Sequence, residues 1–245
     1  MTAIFVPPAP SPIELDERPI KIISCMYNPG DYLEKCVNSI LTQKYENFKV
    51  IFINDCSTDG AAEKYIPKDD GRVIYVENAE RKTALENIFN AIMEHTNSED
   101  LVVLLDSDDW FSTKFALKTV NEFFIRENCW VSWGSCTWYG DEYNRKDFSN
   151  AYTKEEFGVL RRTSFKISHL RVFYSGLFKK IKDQDKDFSI FKDKKGDFYK
   201  SCYDVPIMFS ICEMAGFDKC YYNPVSLMVY NRENALNEFL DEVFS

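Results

Sequence analysis

Glycine and histidine are scarce in this chain of 245 residues, which holds 9 glycines and 2 histidines, His95 and His169. No G-x-G-x-x-G segment follows the first apolar run and no G-x-x-x-x-G-K-[ST] segment occurs, so neither a dinucleotide-binding Rossmann site nor a P-loop is expected. The missing glycine-rich loop also disfavours a nucleotidyltransferase of the sugar-nucleotide pyrophosphorylase type. With so few histidines, a zinc site of mixed cysteine and histidine ligands is not expected.

Long apolar runs are missing as well. No stretch approaches 18 consecutive apolar residues, so no membrane-spanning helix is predicted, and the N-terminus lacks a basic region followed by an apolar one. The 8 cysteines form no C-x-x-C pair and several lie in apolar runs, which indicates reduced, buried thiols. We therefore expect a cytoplasmic protein, at most peripheral to a membrane. The net charge of −9, from 30 Lys and Arg against 39 Asp and Glu, disfavours nonspecific binding to nucleic acid.

From Ile20 onward, short apolar runs alternate with segments of helical periodicity. Residues 1–19 before them are rich in proline and are predicted to form an extended tail. This alternation predicts an α/β fold with a mostly parallel central sheet covered by helices on both faces. The predicted strands of this part are Ile20–Met26, Phe48–Ile53, Arg72–Val76 and Leu101–Leu105.

After about residue 130 the pattern loosens. We therefore predict a nucleotide-sugar-binding half, residues 20–130, and a second half, residues 131–245, within one domain. Residues 141–200 are polar, rich in lysine and predicted to be irregular. The remaining predicted elements are a strand over Cys129–Tyr139, a helix over Asp204–Met214 and a last strand over Val225–Tyr230.

Polar residues directly follow three of the predicted strands. They are Tyr27-Asn28, Asn54-Asp55 and the run Asp106-Ser107-Asp108-Asp109. In a parallel α/β sheet the carboxyl ends of the strands share one edge, and ligands bind beyond that edge. The three polar clusters are therefore expected to meet at one ligand site.

Asp106, Asp108 and Asp109 lie within four residues at the end of the most apolar strand. Carboxylates crowded in this way repel one another, and burying them costs several kcal/mol unless a positive group neutralises them. Mg²⁺ or Mn²⁺ suits such oxygen ligands, and Mg²⁺ commonly shares them with phosphate oxygens. The run therefore predicts a divalent-metal site for a diphosphate. The competing interpretation is a solvated acidic turn that caps the next helix, with Ser112 as the cap.

Five segments, in order along the chain, resemble motifs of the inverting family 2 glycosyltransferases of the GT-A fold. The resemblance covers roughly residues 20–235, with two departures. Cys25-Met26 stands where the family often has Pro-Thr, and Asn54-Asp55-Cys56 stands where it often has Asp-Asp-Gly. The five segments are Lys21–Asn28 (first strand ending in Tyr-Asn), Val50–Asp59 (V-D-D-G-S-T-D strand end), Asn78–Asn87 (loop and helix with a basic pair), Leu104–Asp109 (D-x-D motif) and Asn231–Asn234 (polar run after the last strand).

The resemblance implies a smaller acceptor-side lobe in the second half, and it implies roles for single residues. Asp55 would accept a hydrogen bond from an N–H of the base, which favours uracil or thymine, and Tyr27 would border the base. Asp106 and Asp108 would face the ribose and the metal, with Asp109 as a further metal ligand. The implied donor-binding residues are Cys25, Tyr27, Asn28, Asp55, Arg81, Lys82, Asn87, Asp106, Ser107 and Asp108.

Inversion at a sugar carbon requires a base for the acceptor hydroxyl, and Asp204 is the candidate. It begins a predicted helix where the family places an acidic base; without the resemblance, an aspartate favoured by the helix dipole would be the simpler interpretation. His169, Arg171 and Arg232 are candidates for contact with the diphosphate or the sugar, although a histidine held in the core explains His169 almost as well. Trp110 directly follows the metal motif and is predicted to stack on a sugar face.

The sequence thus predicts an inverting glycosyltransferase that depends on Mn²⁺ or Mg²⁺. Its donor would be a nucleoside-diphosphate sugar, with UDP or dTDP favoured, and its acceptor a hydroxyl of a glycan or another molecule. The alternative is a catalytically silent module that binds a sugar or a nucleotide sugar on the same fold. A broken metal motif or a lost base would favour that alternative, and both motifs are present.

Overall fold

The structure of the protein is a computed structural model that describes residues 16–140 and 148–234. The predicted tail therefore lies outside the described residues except for residues 16–19. The strands are β1 (Ile20–Met26), β2 (Phe48–Asn54), β3 (Val73–Glu77), β4 (Leu101–Leu104), β5 (Trp110–Phe111), β6 (Val131–Tyr139), β7 (Ser168–Tyr174) and β8 (Cys220–Asn231). The helices are α1 (Tyr32–Leu41), α2 (Ala61–Tyr65), α3 (Ala84–His95), α4 (Ala116–Glu127), α5 (Lys154–Phe157), α6 (Ser175–Gln184) and α7 (Asp204–Ala215).

The first half of the chain forms a parallel region of the sheet with the strand order β3-β2-β1-β4. Residues of β1 and β2 pair one to one, from Ile20 with Phe48 to Met26 with Asn54, so both strands end side by side. This arrangement confirms the predicted parallel sheet. The bounds of these four strands differ by at most one residue from those predicted, as β3 and β4 illustrate.

The second half of the chain continues the same sheet in the order β7-β6-β8-β5. Strand β7 runs antiparallel to β4, and Arg171 lies opposite Leu104 in that pairing. Strand β6 is antiparallel to β7 and parallel to β8, which pairs antiparallel with the short β5. Because β7 pairs directly with β4, one continuous sheet joins the two halves.

The prediction of an irregular segment over residues 141–200, of which 141–147 lie outside the described residues, is wrong in part, because β7 and α6 lie inside it. In β7, Arg171 separates Leu170 from the three apolar residues that follow it, so the segment lacks a long apolar run. Its burial comes from pairing with β4 and β6, which are distant in sequence. A local pattern does not report such pairing.

Two apolar layers cover the two faces of the sheet, as predicted. Ile20 and Ile22 of β1 belong to the layer that packs against α1 and α4, whereas Ile23 belongs to the layer of α3, α6 and α7. This division follows from the alternation of side chains along a strand. Burial of both faces explains why β1, β2 and β4 are mostly apolar.

Of the eight cysteines, four are buried, three are partly buried and one is exposed. Cys36, Cys129, Cys136 and Cys212 are buried as predicted, whereas Cys202 is exposed just before α7. Over residues 16–140 and 148–234, none of the helices has both the length and the apolar composition that crossing a bilayer requires.

Candidate active site

A cavity of about 560 Å³ opens beside the carboxyl ends of β1, β2 and β4. Thr83 and Ala84, at the start of α3, also line it, together with Lys200 and Asn234. The strand ends and one helix N-terminus therefore surround a single opening. The predicted donor-binding residues that line it are Cys25, Tyr27, Asp55, Arg81, Lys82, Asn87, Asp106, Ser107 and Asp108.

Asp55 directly follows β2, and only 4% of its surface is exposed. Its Oδ1 atom accepts hydrogen bonds from Asn78 Nδ2 at 2.7 Å and from the backbone N–H of Lys82 at 2.9 Å. Its Oδ2 atom accepts one from Arg81 Nε at 3.1 Å. A carboxylate offers about four acceptor positions, so these three bonds leave room at Oδ2 for one donor from a ligand.

Arg81 also stacks on Tyr27, with the guanidinium carbon 3.3 Å from the centre of the ring. Tyr27 is 42% exposed, and both side chains line the cavity. The pair therefore forms a flat wall that combines an aromatic face with a fixed positive charge.

Asn87, at the base of the cavity, is buried and acts through Asn78. Its Oδ1 atom accepts a hydrogen bond from Asn78 Nδ2 at 2.8 Å, and the same Nδ2 group donates to Asp55. Asn87 thus fixes the orientation of the amide that holds the Asp55 carboxylate.

Cys25 and Asn28 have supporting roles at the end of β1. Burial, and then the negative charges of Asp106 and Asp55, raise the pKa of the Cys25 thiol well above its usual value, so the thiol is neutral. Asn28 does not line the cavity. It adopts a positive φ of 49°, and its Oδ1 atom accepts the backbone N–H of Thr58 at 2.7 Å, which shapes the turn after the strand.

Asp106 lies two residues beyond β4 and faces the cavity. The hydroxyl of Tyr203 lies 2.9 Å from both its Oδ1 and its Oδ2 atoms and donates to the carboxylate. Burial, and then the negative charge of Asp108, raise the pKa of Asp106 to about 6. Burying crowded carboxylates at this strand end therefore costs free energy, as the sequence predicts.

Asp108 faces the cavity, whereas Asp109 points into the protein. Asp108 Oδ2 accepts a hydrogen bond from Asn234 Nδ2 at 2.8 Å, and burial raises the pKa of its carboxyl. Asp109 is 1% exposed, and its Oδ1 atom accepts the backbone N–H of Asn231 at 2.8 Å. Its Oδ2 atom has no hydrogen-bond partner among the described residues. Burial, and then the charges of Asp108 and Asp106, raise the pKa of Asp109 well above its usual value.

The competing interpretation of a solvated acidic turn is wrong. Ser107 and Asp109 are buried, and the run forms part of the cavity instead of an exposed cap. Helix α4 begins only at Ala116, and the Ser112 hydroxyl donates to the Ser226 carbonyl oxygen at 3.0 Å instead of capping the helix.

The oxygen atoms at this strand end fit a cation that is shared with a ligand. No group of three or more His, Cys, Asp or Glu side chains is placed to hold a metal ion by itself within residues 16–140 and 148–234. Asp106 and Asp108 line the cavity, and Asp109 does not. Mg²⁺ commonly binds through one or two carboxylates together with water and substrate phosphates, and two carboxylates with raised pKa values suit that pattern.

Asp204 begins α7, as the sequence predicts, and is paired with Arg171. Arg171 Nη2 donates to Asp204 Oδ2 at 2.6 Å, and Arg171 is 4% exposed. On its other side, Arg171 Nη1 lies 3.4 Å from His169 Nδ1. Burial, and then the charge of Arg171, lower the pKa of His169 well below its usual value, so the ring is a neutral acceptor. Neither Arg171 nor His169 lines the cavity.

Trp110 and Arg232 also lie outside the cavity lining. Trp110, in β5, packs edge-on against Tyr139 with ring centres 5.1 Å apart, and Lys35 Nζ lies 4.7 Å from the centre of its ring. Arg232 lies over the Trp138 ring at 5.0 Å. Contacts of Trp110, His169 and Arg232 with a sugar or a diphosphate therefore stay predictions.

Several residues of the site carry no signal in the sequence patterns. Asn78 and Asn234 lie inside segments that resemble family motifs, yet the motifs alone give them no role. Tyr203 directly precedes the candidate base, but its partner Asp106 is distant in sequence. Lys200 lies in a polar segment without periodicity and still reaches the cavity.

These groups together suit a ligand with a planar heterocycle and a diphosphate. The aromatic face of Tyr27 and the open position on Asp55 can contact a ring that carries an N–H group. Arg81, Lys82 and Lys200 supply positive charge around the same cavity, and Asp106 and Asp108 supply oxygen ligands.

Comparison with known proteins gives a matching family model. The model of Glycosyl transferase family 2 matches residues 21–184, which is more than half of the chain.

One curated relative is Glycosyltransferase GlyA from Streptococcus pneumoniae serotype 4. It is 36% identical over 104 residues, which are 39% of this chain and 14% of GlyA. The matched part thus spans only about a seventh of that relative.

Solved structures share the fold over most of the chain. S. aureus TarS 1–349 in complex with UDP-GlcNAc superposes with a TM-score of 0.63 and 18% identity, covering 87% of this chain and 58% of the TarS chain. Mannosyltransferase PcManGT from Pyrobaculum calidifontis, in complex with GDP-Man and Mn²⁺, gives a TM-score of 0.59 and 17% identity, covering 88% and 57%. The likeness shows that the fold is GT-A.

Proposed function

Since this chain belongs to glycosyl transferase family 2, we propose that it transfers a sugar, with inversion, from a nucleoside-diphosphate sugar to a hydroxyl group. One observation carries the proposal. The buried carboxylate of Asp55 and the carboxylates of Asp106 and Asp108 line the same cavity at the carboxyl ends of parallel strands. Asp55 would accept a hydrogen bond from the nucleobase, and Asp106 and Asp108 would bind the diphosphate through a cation. A nucleotide-sugar site needs both functions.

A uracil or thymine nucleotide is the favoured donor. The ring N–H of either base can donate to the open position on Asp55 Oδ2, while the adjacent Arg81 can donate to a ring carbonyl. Tyr27 supports the same choice because its exposed ring offers a stacking surface. The similar fold of TarS in complex with UDP-GlcNAc agrees with this choice, whereas the PcManGT complex contains GDP-Man.

Asp106 and Asp108 would hold a divalent cation, Mn²⁺ or Mg²⁺, together with the diphosphate. Bound there, the cation would act as a Lewis acid that neutralises the leaving diphosphate. Arg81, Lys82 and Lys200 would balance the remaining negative charge from the cavity wall. The structure of PcManGT in complex with Mn²⁺ supports this assignment by its similar fold.

Asp204 would accept the proton of the acceptor hydroxyl as the new bond forms. The pairing with Arg171 fixes the direction of its Oδ2 atom, and its Oδ1 atom accepts the backbone N–H of Val205 at 3.0 Å. Proton abstraction by a positioned carboxylate contributes about 10²–10⁴-fold to such reactions. The acceptor would be a glycan or another molecule that presents a hydroxyl group.

The decisive test is release of nucleoside diphosphate from a panel of donors. We expect the purified chain with Mn²⁺ to release UDP or dTDP from one sugar donor, faster when an acceptor is added, and to lose this activity in EDTA. Release of pyrophosphate would instead indicate nucleotidyl transfer. Donor binding seen by thermal shift with no release in any reaction would support the catalytically silent binding module.

A further inference from the structure

We propose that Tyr203 and Arg171 are positioning residues that together set the place of the Asp204 carboxylate relative to Asp106. The proposal rests on the proposed function, in which Asp204 is the base and Asp106 lies at the leaving-group end of the donor. It changes the expected role of Arg171, which the sequence assigns to the diphosphate or the sugar. In the structure, Arg171 is buried away from the cavity and contacts the candidate base instead.

The first connection runs from α7 to the end of β4. Tyr203 is the residue before the first turn of α7, and its hydroxyl donates to Asp106 with both carboxylate oxygens at 2.9 Å. The N-terminus of α7 has no side-chain cap of its own. The hydrogen bond from Tyr203 to Asp106 therefore holds this end of the helix in place of a side-chain cap.

The second connection runs from the next residue to the neighbouring strand. Asp204 accepts from Arg171 at 2.6 Å, and Arg171 lies on β7 directly opposite Leu104, which is two residues before Asp106. Arg171 is itself held by His169, whose ring packs against Tyr230 with centres 5.2 Å apart. The guanidinium thus has little freedom to move.

Two consecutive residues therefore bond to two points that lie close together, one just beyond the end of β4 and the other on the adjacent strand β7. Tyr203 is tied to the residue that would contact the donor, and Asp204 is tied to the strand beside it. A shift of the helix N-terminus would stretch both bonds at once. In-line transfer is sensitive to such shifts, because misplacing a reacting group by about 1 Å can cost about 10²-fold in rate.

A second ion pair on the same helix provides a matched control. Arg161 donates to both carboxylate oxygens of Glu213 at 2.7 Å, near the C-terminal end of α7. Loss of that pair removes an arginine contact to the same helix without touching Asp204. Tyr45 is the control for Tyr203, because its buried hydroxyl donates to the Arg18 carbonyl oxygen at 2.7 Å, away from the cavity.

The first experiment compares turnover and binding in Tyr203→Phe, Arg171→Gln and the controls Arg161→Gln and Tyr45→Phe. We expect Tyr203→Phe and Arg171→Gln to lower kcat about 10- to 100-fold at saturating Mn²⁺, with the Kd for UDP under the same conditions within about threefold of the parent. The two controls should change both constants by less than about threefold. Arg171→Lys should recover part of the loss, because it keeps the charge but not the fork of N–H groups.

Combination with Asp204→Asn distinguishes positioning from a general structural role. If Tyr203 acts through Asp204, Tyr203→Phe should lower residual turnover less than about threefold once Asp204 is already Asn. An equal loss in both backgrounds would overturn the proposal, as would unchanged kcat in Tyr203→Phe. Because Tyr203→Phe removes a single oxygen atom, it remains informative if Arg171→Gln fails to fold.

Hydrogen exchange tests the attachment without any need for turnover. Amides in the second turn of α7, which donate back to carbonyl groups of the first turn, should exchange at least about tenfold faster in Tyr203→Phe, and not in Tyr45→Phe or Arg161→Gln. Unchanged exchange there would overturn the positioning role even in an active enzyme. A parent protein that releases no nucleoside diphosphate from any donor would instead overturn the proposed function, and the two failures are therefore separate.

Discussion

Replacement of Asp204 by Asn should separate turnover from donor binding. The amide has nearly the same shape as the carboxylate, but it can accept from only one of the two groups that now donate to it, Arg171 and Val205. One hydrogen bond is therefore lost, and the buried guanidinium loses its negative partner. We expect kcat to fall about 10²–10⁴-fold, which corresponds to about 3–5 kcal/mol in the activation free energy.

The same substitution should also destabilise the fold by a measurable amount. Hydrogen bonds to charged groups contribute about 1.5–3 kcal/mol, and Asn keeps one acceptor, so we expect the free energy of unfolding to fall by about 2–3 kcal/mol. Glu213→Gln, at the other end of α7, is the control. Its partner Arg161 is 44% exposed, so that loss should stay below about 1 kcal/mol and leave turnover unchanged.

Release of nucleoside diphosphate measures kcat. Isothermal titration with UDP and Mn²⁺ measures the dissociation constant for UDP, and urea unfolding measures the free energy of unfolding. The dissociation constant for UDP should stay within about threefold of the parent, because Asp204 does not line the cavity. Parental kcat in a folded Asp204→Asn variant would refute the assignment of the base. A loss of UDP affinity equal to the loss of turnover would mean that the residue supports the donor site instead.

Three further predictions address donor binding, packing and acid stability. Asp55→Asn should raise the dissociation constant for UDP about tenfold in calorimetry, because the uracil N–H loses a charged hydrogen-bond acceptor. Gly176→Ala should lower the free energy of unfolding by about 1–3 kcal/mol in urea titration, because its Cβ would lie 2.9 Å from the Ser98 carbonyl oxygen. Side-chain and backbone hydrogen bonds from Arg72 lower the pKa of Asp70 to about 2, below its value of about 3.9 in unfolded chains. Stability from this pair is present above about pH 4 and is lost as the pH falls towards 2, so Asp70→Asn should weaken the acid dependence of unfolding there.

Each of these predictions has a control in the chain. Gly71→Ala should be nearly neutral, because no atom lies within 4 Å of its Cβ position; equal losses at Gly71 and Gly176 would contradict the packing argument. Unchanged UDP affinity in Asp55→Asn would mean that the uracil ring does not bind at Asp55. An unaltered acid slope in Asp70→Asn would mean that other carboxyl groups govern unfolding at low pH.

The parallel half of the fold and the position of its candidate active site could be predicted from the sequence. Apolar runs such as Leu101–Leu104 are buried on both faces, and that burial leaves a local pattern in the chain. Polar residues at the strand ends, above all Asp55 and Asp106, then meet because parallel strands end at a common edge. The acidic run Asp106–Asp109 and the helix that begins at Asp204 also carried local signals.

Tertiary structure alone decided which of these side chains face the cavity and which partners hold them. Asp108 turns towards the cavity and its neighbour Asp109 turns inward to the backbone of Asn231, a choice set by the packing of β8. The bonds of Tyr203 to Asp106 and of Arg171 to Asp204 join segments far apart in sequence. Periodicity records the burial of each element, whereas these contacts depend on how β7 and α7 pack against β4 and its neighbours, and no local pattern contains that information.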